Sequence, residues 1–389
     1  MINKQLNEIG LDDLNSLIKS SVLEGKTIEY KEKLPGNSDT DRKEFLADIS
    51  SFANTSGGDL VFGIASEKGL PKEIVGLEIS NVDAEKLKYE EIVRNGLEPK
   101  INFTIHTVPI TSNKFILIFR MNKSWLGPHR VIYKGHDKFY GRNSAGKYPL
   151  DTGELKIAFN LSETLNEKVS RFKAGRIIQL AAGNTPLPFY GHGKIVLHLV
   201  PIESFSPESR VDLNSIIKDL AKLEPIYSYG WSNRINLEGV LSYTIGKNTK
   251  SHTYVQLYRN GIIEAVEGLI LTPGDDKKFI PSITYERELI KYLDKYLNVL
   301  RGLNVNPPLT VFLTFIGVKG FKMAVDPSRI MFEEHYEIDR DILELPEALL
   351  DSYDIDPRDV LKPMFDLIWN ACGYERSLNF DDKGNWIAK

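Results

Sequence analysis

The sequence predicts an α/β protein of two domains, and three observations support this. Its 389 residues exceed what one ordinary hydrophobic core accommodates and suit two domains of roughly 150–200 residues. Hydrophobic residues make up 42% of the chain and charged residues 26%, which is the balance of a folded protein. Segments with helical spacing alternate with short apolar strands in both halves. We expect a first domain at residues 1–160, a linking helix at 161–182 and a second α/β domain of unassigned role at 183–389.

In the first half, a strand at residues 27–31 and a helix at 41–54 are the clearest elements. Ile28 and Tyr30 point to one side of the strand, and its polar residues point to the other. The helix is amphipathic, and Gly57-Gly58 end it because glycine tolerates a positive φ. The remaining predicted elements are helices at 11–20 and 83–94 and strands at 59–64, 101–108, 114–120, 129–134 and 137–142.

The second half begins after a long helix. The run Asp151-Thr-Gly-Glu154 is a capping signal, so a helix should start there, and a helix at about 161–181 should connect the halves. Gly183-Asn-Thr-Pro-Leu-Pro188 ends it. Beyond this break we expect strands at 194–200, 238–245, 252–258, 261–267 and 309–317 and helices at 283–300 and 357–371.

Several classes of protein are disfavoured by composition. The single cysteine, Cys372, excludes an internal disulfide framework, and we expect no zinc site. Only His192 and His198 approach metal-ligand spacing, and we interpret both as structural. The N-terminus lacks the pattern of a signal peptide, and no apolar run reaches the ~18 residues of a membrane span. We therefore expect a cytoplasmic protein without a membrane partner.

Three motifs follow one another near the N-terminus. They are Glu24-Gly-Lys-Thr-Ile-Glu-Tyr-Lys31, then Ser51-Phe-Ala-Asn-Thr-Ser-Gly-Gly58, then Leu60-Val-Phe-Gly-Ile64 with the turn that follows it. In this order and spacing they resemble the AlbA_2 domain of the Schlafen family, over about residues 20–160. The resemblance implies a small mixed sheet flanked by helices and a nucleic-acid-binding function.

The resemblance also implies a catalytic site. Schlafen relatives with nuclease activity cut tRNA or other structured RNA with three carboxylates and a divalent metal. Glu24 and Glu29 match the pair of glutamates in that set, but Ala65 stands where the third acid is an aspartate, and Glu67 is the nearest substitute. Oxygen ligands suit Mg²⁺ or Mn²⁺, so Glu24 and Glu29 are the expected metal ligands. Positions five apart on one strand face opposite sides, so Glu24 must come from the preceding loop.

Residues 101–150 form a basic stretch, with eight Lys or Arg and a single acid, interleaved with aromatic residues. This local balance is typical of phosphate-backbone contact, although the net charge of the chain is −4. Phe139-Tyr-Gly-Arg142-Asn-Ser144 resembles the closing strand of the family, in which Arg142 and Ser144 would face nucleic acid. The expected nucleic-acid-binding residues are Lys31, Arg130, Lys134, Arg142, Ser144 and Lys147.

The same stretch contains a near-match to a phosphate-binding loop. Gly141 to Lys147 fits G-x-x-x-x-G-K, but Tyr148 replaces the Ser or Thr that binds Mg²⁺, and Pro149 follows. ATP is therefore not an expected cofactor. Nucleotide binding at this loop remains only a third interpretation.

Two functions from different classes stay open. The first is RNA binding with metal-dependent endoribonuclease activity on tRNA or structured RNA, which would suit phage defence. The second is a non-catalytic DNA-binding regulator or accessory binding subunit, which Ala65 favours. Nuclease relatives use a cleft between two AlbA-like lobes and this chain has one motif set, so a homodimer is a further expectation.

Overall fold

The computed structural model of the protein describes residues 1–2, 4–191, 193–206, 209–245, 250–272, 278–325 and 336–388. His192, one of the two histidines at near metal-ligand spacing, lies outside these ranges. The chain forms two compact units, Met1–Leu165 and Asn166–Lys389. No described helix is both long enough and apolar enough to cross a lipid bilayer.

The first unit contains a mixed sheet, a second, antiparallel sheet and four helices, the last of which continues into the second unit. The helices are α1 (Leu11–Lys19), α2 (Asp39–Thr55), α3 (Val82–Gly96) and α4 (Thr152–Ala181). The strands are β1 (Ile28–Lys31), β2 (Gly58–Phe62), β3 (Ile64–Glu67), β4 (Leu70–Ile74), β5 (Leu77–Glu78), β6 (Leu97–Glu98), β7 (Phe103–Pro109), β8 (Lys114–Met121), β9 (Arg130–Val131), β10 (Lys138–Asn143) and β11 (Gly146–Pro149).

The mixed sheet has apolar residues on both faces. β1 pairs in parallel with β2, β2 pairs antiparallel with β8, and β8 also pairs with β5 and β7. Leu60 and Phe62 of β2 pack in the core that contains α2 and α3, whereas Val61 packs in the core that contains α1. Both faces are covered here, so residues 60–62 form a continuous apolar run.

The four-stranded antiparallel sheet of β6, β9, β10 and β11 lies beside α2. Between α2 and β2, Gly57 has φ +69°, and a Cβ there would lie 2.6 Å from the carbonyl oxygen of Met121. A Cβ on Gly58 would lie 2.4 Å from the Phe52 ring. Gly57 is therefore required by backbone conformation and by close packing, and Gly58 by close packing.

The predicted capping signal before α4 is confirmed. The Asp151 carboxylate accepts a hydrogen bond from the backbone N–H of Glu154 (2.8 Å), and the Glu154 carboxylate accepts one from the N–H of Asp151 (3.0 Å). This reciprocal pair stabilises the first turn. The helix then runs without a break to Ala181, through the segment expected to link the halves.

The second unit is built on an eight-stranded antiparallel sheet in the order β13-β14-β15-β16-β12-β18-β20, with β21 also paired to β18. Its strands are β12 (Lys194–Pro201), β13 (Ser232–Ile235), β14 (Gly239–Tyr243), β15 (Thr253–Tyr258), β16 (Ile263–Glu267), β17 (Phe279–Pro281), β18 (Leu309–Ile316), β19 (Lys322–Ala324), β20 (Ile342–Glu344) and β21 (Ala348–Leu350). Its own helices are α5 (Asn214–Ile217), α6 (Ser282–Gly302) and α7 (Pro357–Ala371). The largest core packs α6 and α7 against one face of this sheet.

The other face of this sheet contains a buried acid. Glu264 of β16 accepts two hydrogen bonds from Arg176 of α4, at 2.7 and 2.8 Å, and one from the Tyr254 hydroxyl at 2.9 Å. His198 Nε2 lies 3.0 Å from the same carboxylate. We call these four residues the Glu264 network.

Candidate nucleic-acid interface

The β1 strand separates its apolar and charged residues as its alternation predicts. Ile28 and Tyr30 lie in the core beneath α1. Glu29 and Lys31 point to the other face of the sheet, and Glu29 Oε1 lies 2.6 Å from Lys31 Nζ. The strand therefore presents an acid and a base side by side towards α2.

The α2 helix carries a polar stripe that faces these two residues. Glu44, Asp48, Ser51 and Thr55 recur at intervals of four, three and four residues, so they share one side of the helix. Each contacts a basic residue of β1, β10 or β11. The apolar residues Phe45, Leu46, Ile49, Phe52 and Ala53 are all buried, as predicted.

Arg142 of β10 is seated at the end of this stripe, and its side chain is only 2% exposed. Its guanidinium group lies 4.1 Å over the Phe52 ring and donates through Nε to the carbonyl oxygen of Gly25 (3.0 Å). Its other nitrogens contact Ser51 Oγ and form an ion pair with Glu29. The buried Arg142 side chain of β10 is therefore bonded to Glu29 of β1 and Ser51 of α2, and it links these three elements.

Asn54 of the second motif holds the β9–β10 region against α2. Its side-chain amide donates to the carbonyl oxygens of His129 and Tyr140, both at 2.9 Å, and its oxygen accepts from the N–H of His129 at 2.7 Å. Thr55 Oγ accepts from the backbone N–H of Arg142 at 3.0 Å. The motif therefore positions the strand that delivers Arg142.

Asp48 lies at the centre of the charged residues and is buried. Its carboxylate is 2.7 Å from Lys147 Nζ, 3.7 Å from Lys31 Nζ and 3.9 Å from the Arg142 guanidinium. Glu44 lies at the rim, with Oε1 3.5 Å from Lys147 and 3.9 Å from Lys31. We call the full set the charge cluster; it comprises Glu29, Lys31, Glu44, Asp48, Arg142 and Lys147.

The two inner acids of the cluster have opposite electrostatic environments. Burial and the nearby charge of Glu29 raise the pKa of Asp48 to about 6, although Lys147 and Lys31 oppose this. Burial also disfavours ionised Glu29, but the charges of Arg142 and Lys31 outweigh it and lower the pKa of Glu29. Burial disfavours the ammonium of Lys31, but Asp48 and Glu29 more than compensate and raise the pKa of Lys31.

The three expected catalytic acids have separate partners. Glu24 precedes β1, as the strand geometry demands, and its Oε1 accepts from the N–H of Tyr30 (3.0 Å) and from Ser66 Oγ (3.1 Å). Glu67 is exposed on the β3–β4 hairpin and pairs with Lys72 at 3.5 Å. Glu29 lies within the charge cluster.

These partners do not suit a divalent metal. Each oxygen of Glu29 already contacts a cation, one Lys31 and the other Arg142, and these two positive charges would repel a divalent ion at Glu29. Within the part of the chain that the structure describes, no three Asp, Glu, His or Cys side chains group closely enough to hold a metal ion. The residues expected to bind Mg²⁺ or Mn²⁺ therefore do not fit that role as they are placed.

The expected nucleic-acid-binding residues fall into three groups. Lys31 and Lys147 converge on Asp48 and remain partly exposed, at 31% and 24%. Arg142 is buried, so its guanidinium is directed to the fold and not to solvent. The other three are at the surface: Arg130 pairs with Glu98 and Asp137, Lys134 pairs with Asp39, and Ser144 lies in the β10–β11 turn.

Sequence reasoning missed Asp48 and Glu44. A signal for both was present, because the helix at 41–54 has a polar stripe at helical spacing beside its apolar face. Asp48 also stands between Ala47 and Ile49 in a run that is otherwise mostly apolar. An acid in such a run is rarely buried unless it is paired with a cation.

Residues 24–151 match the sequence profile of the Schlafen AlbA_2 family. A part of the chain matches the DIP2311 protein from Corynebacterium diphtheriae, at 16% identity and a TM-score of 0.26, over 36% of this chain and 26% of that one. It is also similar to the N-terminal domain of a putative ATP-dependent DNA helicase RecG-related protein from Nitrosomonas europaea, at 20% identity and a TM-score of 0.22, over 29% of this chain and 71% of that one.

The chain thus spans about a quarter of the Corynebacterium protein, and both TM-scores are too low to carry an argument about function. No curated protein matches the chain. The family profile covers all three motifs and the strand that carries Arg142. The chain therefore contains a Schlafen-type AlbA_2 domain at residues 24–151, and this family indicates nucleic-acid binding.

Proposed function

We propose that the AlbA_2 domain binds the phosphate backbone of RNA or DNA at Lys31 and Lys147 and does not cleave it. The observation that carries the proposal is the convergence of two partly exposed ammonium groups on one buried carboxylate, Asp48. Each lysine has three N–H donors, so each retains donors for a phosphate oxygen while it stays paired with Asp48. Asp48 thus fixes the spacing of two cations at the surface.

The surface around β9 and β10 extends this site. Arg130 and Lys134 are paired with exposed acids, and exposed ion pairs are weak and screened by salt, so a phosphate exchanges readily with the carboxylate. Contacts of this kind position a nucleic acid without reading its sequence. We therefore expect affinity with little sequence preference and a strong dependence on salt.

The absence of cleavage is supported by the partners of the predicted catalytic acids. Glu24 is bonded to Tyr30 and Ser66, Glu29 to Lys31 and Arg142, and Ala65 has no carboxylate to contribute. This arrangement favours the interpretation as a regulator or accessory binding subunit.

Endoribonuclease activity on tRNA or structured RNA, serving phage defence, is the second candidate. One observation favours it: the pKa values of the neighbouring acids Glu29 and Asp48 are shifted in opposite directions, as in many acid–base pairs of enzymes. A homodimer would supply the second lobe in this case. Light scattering that shows a monomer with and without RNA would count against it.

The test compares the double variant Lys31→Ala/Lys147→Ala with the matched control Lys33→Ala/Lys72→Ala, whose two lysines lie outside the charge cluster. Fluorescence anisotropy with a labelled tRNA and a 20-base-pair DNA duplex measures affinity across a salt series. We expect the cluster variant to bind roughly tenfold more weakly. The slope of log K against log salt should be less steep by about 1.4–1.8 for two lost phosphate contacts.

The control should lose less than about twofold, because isolated lysines at a surface contribute little. Equal losses in both double variants would contradict a site at Lys31 and Lys147. Incubation of the tRNA with Mg²⁺, Mn²⁺ or EDTA should leave it intact. If the tRNA is cut in a metal-dependent manner and Glu24→Gln or Glu29→Gln abolishes the cutting, the result would support endoribonuclease activity and contradict binding without cleavage.

A further inference from the structure

Glu44 occupies the position that the proposed function gives to a phosphate. One oxygen of its carboxylate, Oε1, lies within 3.5 Å of Lys147 Nζ and 3.9 Å of Lys31 Nζ. The side chain is 58% exposed, whereas that of Asp48 beneath it is 3% exposed. The two lysines therefore face one buried acid on the inside and one exposed acid on the outside.

The contacts of Glu44 are weaker than those a phosphate would make. Charge-assisted N–H···O bonds are about 2.7–2.9 Å long, and the two contacts of Glu44 are both longer. An exposed glutamate has several rotamers of similar energy and can move its carboxylate into solvent. Departure of Glu44 would leave Lys31 and Lys147 still paired with Asp48, so the site would keep its geometry.

We propose that Glu44 is an internal competitor that mimics a backbone phosphate between Lys31 and Lys147 and must be displaced when nucleic acid binds. This inference rests on the proposed function and adds the regulation of the same site. The carboxylate lowers affinity for any phosphodiester and does so without closing the site to solvent.

A second exposed acid next to β1, Glu32, lacks the contacts of Glu44 with the two lysines. Glu32 is of similar exposure, at 51%, and lies next to Lys31 in the sequence. Its ion pair, however, is with Lys33, at 3.9 Å. Removal of either carboxylate changes the net charge by one unit, but only Glu44 bridges the two lysines of the proposed site.

The experiment measures the anisotropy of the same labelled tRNA with Glu44→Gln and Glu32→Gln, each in the wild-type chain and in the Lys31→Ala/Lys147→Ala background. We expect Glu44→Gln to bind about fivefold more tightly and Glu32→Gln less than twofold more tightly, as for loss of a weak exposed pair. In the background without the two lysines, the gain from Glu44→Gln should disappear.

Three outcomes would overturn the inference. An equal gain from both glutamine variants would show a general effect of net charge, and no gain from Glu44→Gln would show that its carboxylate does not compete. A gain that persists without the two lysines would place the effect elsewhere. In each of these three outcomes the proposed function still stands if Lys31→Ala/Lys147→Ala binds nucleic acid weakly. If neither the wild type nor Glu44→Gln binds any tRNA or DNA, both the proposed function and the inference about Glu44 are overturned.

Discussion

Ionised side chains lie between a sheet and a helix in both units, in the charge cluster of the first and in the Glu264 network of the second. The two sets differ in whether the hydrogen-bond donors around the buried acid remain available to other partners. Glu264 is fully buried and receives hydrogen bonds from Arg176 and Tyr254, with His198 beside it. In the charge cluster, Lys31 and Lys147 surround Asp48 but retain donors that face solvent.

The pKa values follow this difference. Burial raises the pKa of Glu264, but hydrogen bonds from His198 and Arg176 outweigh it and lower the pKa to about 2. The pKa of Asp48 is instead raised to about 6, because burial and Glu29 outweigh the two lysines. The charge of Glu264 is held by the two donors of Arg176 and by Tyr254 and His198, whereas Lys31 and Lys147 each keep N–H donors that can bind another anion while they stay paired with Asp48.

The largest effect should follow from Glu264→Gln. The substitution leaves the partly buried Arg176 without its charge partner, and breaking such a pair costs about 3–5 kcal/mol. Hydrogen exchange monitored by mass spectrometry should show this loss of unfolding free energy in β12 and β16 of the second unit. Affinity for tRNA should not change, because the network lies outside the AlbA_2 domain.

Glu344→Gln is the matched control for this prediction. Glu344 is exposed and pairs with Lys173 at 3.6 Å, so its loss should change the free energy of unfolding very little. A loss below about 1 kcal/mol in Glu264→Gln would mean that the network does not stabilise the second unit as its geometry indicates.

Arg142→Met should have the next largest effect and tests the corresponding pair of the first unit. It leaves Glu29 without its guanidinium partner and removes the bond to the carbonyl oxygen of Gly25, at a cost of about 3 kcal/mol. Arg142→Lys should not restore stability, because an ammonium group cannot reproduce the planar fork of donors. Hydrogen exchange in β1 and β2 measures the result.

The control is Arg130→Met, which removes an exposed arginine of the same basic stretch and should leave stability unchanged. From the sequence, Arg142 and Arg130 were both expected to bind phosphate. If Arg142→Met weakened tRNA binding in folded protein and left hydrogen exchange unaltered, Arg142 would be a ligand after all and not a residue of the fold.

Much of the fold was predictable because it depends on local periodicity. The alternation in β1, the apolar face of α2, the glycines after it and the capping pair before α4 are all short-range patterns, and each was found where expected. The hairpin of β3 and β4 was missed because its residues are mixed in polarity and follow a buried strand without a clear break. Periodicity alone does not separate such segments.

The candidate site was less predictable because its contacts are long-range. Glu29 and Arg142 are 113 residues apart, and Lys147 and Asp48 are 99 apart. A motif identifies which residues recur in a family, but it does not show whether a basic residue on a strand faces solvent or a buried acid. Arg142 faces the acid because Asn54 and Thr55 fix β10 against α2.

The smallest effect concerns pH and again sets Asp48 apart from Glu264. The pKa of Asp48 is about 6 in the folded state and lies above its ordinary value of 3.8, so the folded state binds the proton more tightly. Its contribution to stability is therefore greatest at low pH and falls as pH rises from about 4 to about 6, by roughly 1–3 kcal/mol. Glu264 has a lowered pKa, so its contribution is present above pH 4.5 and is lost as pH falls towards 2.

Asp48→Asn cannot titrate, so it should remove the fall in stability of the first unit between pH 4 and pH 6 and leave the second unit unchanged. Hydrogen exchange of β1 and β2 against β12 and β16, measured across this range and corrected for the intrinsic rate at each pH, separates the two units. Glu29 acts in the opposite direction, because its pKa is lowered by Arg142 and Lys31 after opposing burial. If the first unit of Asp48→Asn still loses stability from pH 4 to pH 6, another group is responsible for the titration. The contrast between the buried acids Asp48 and Glu264 would then not hold.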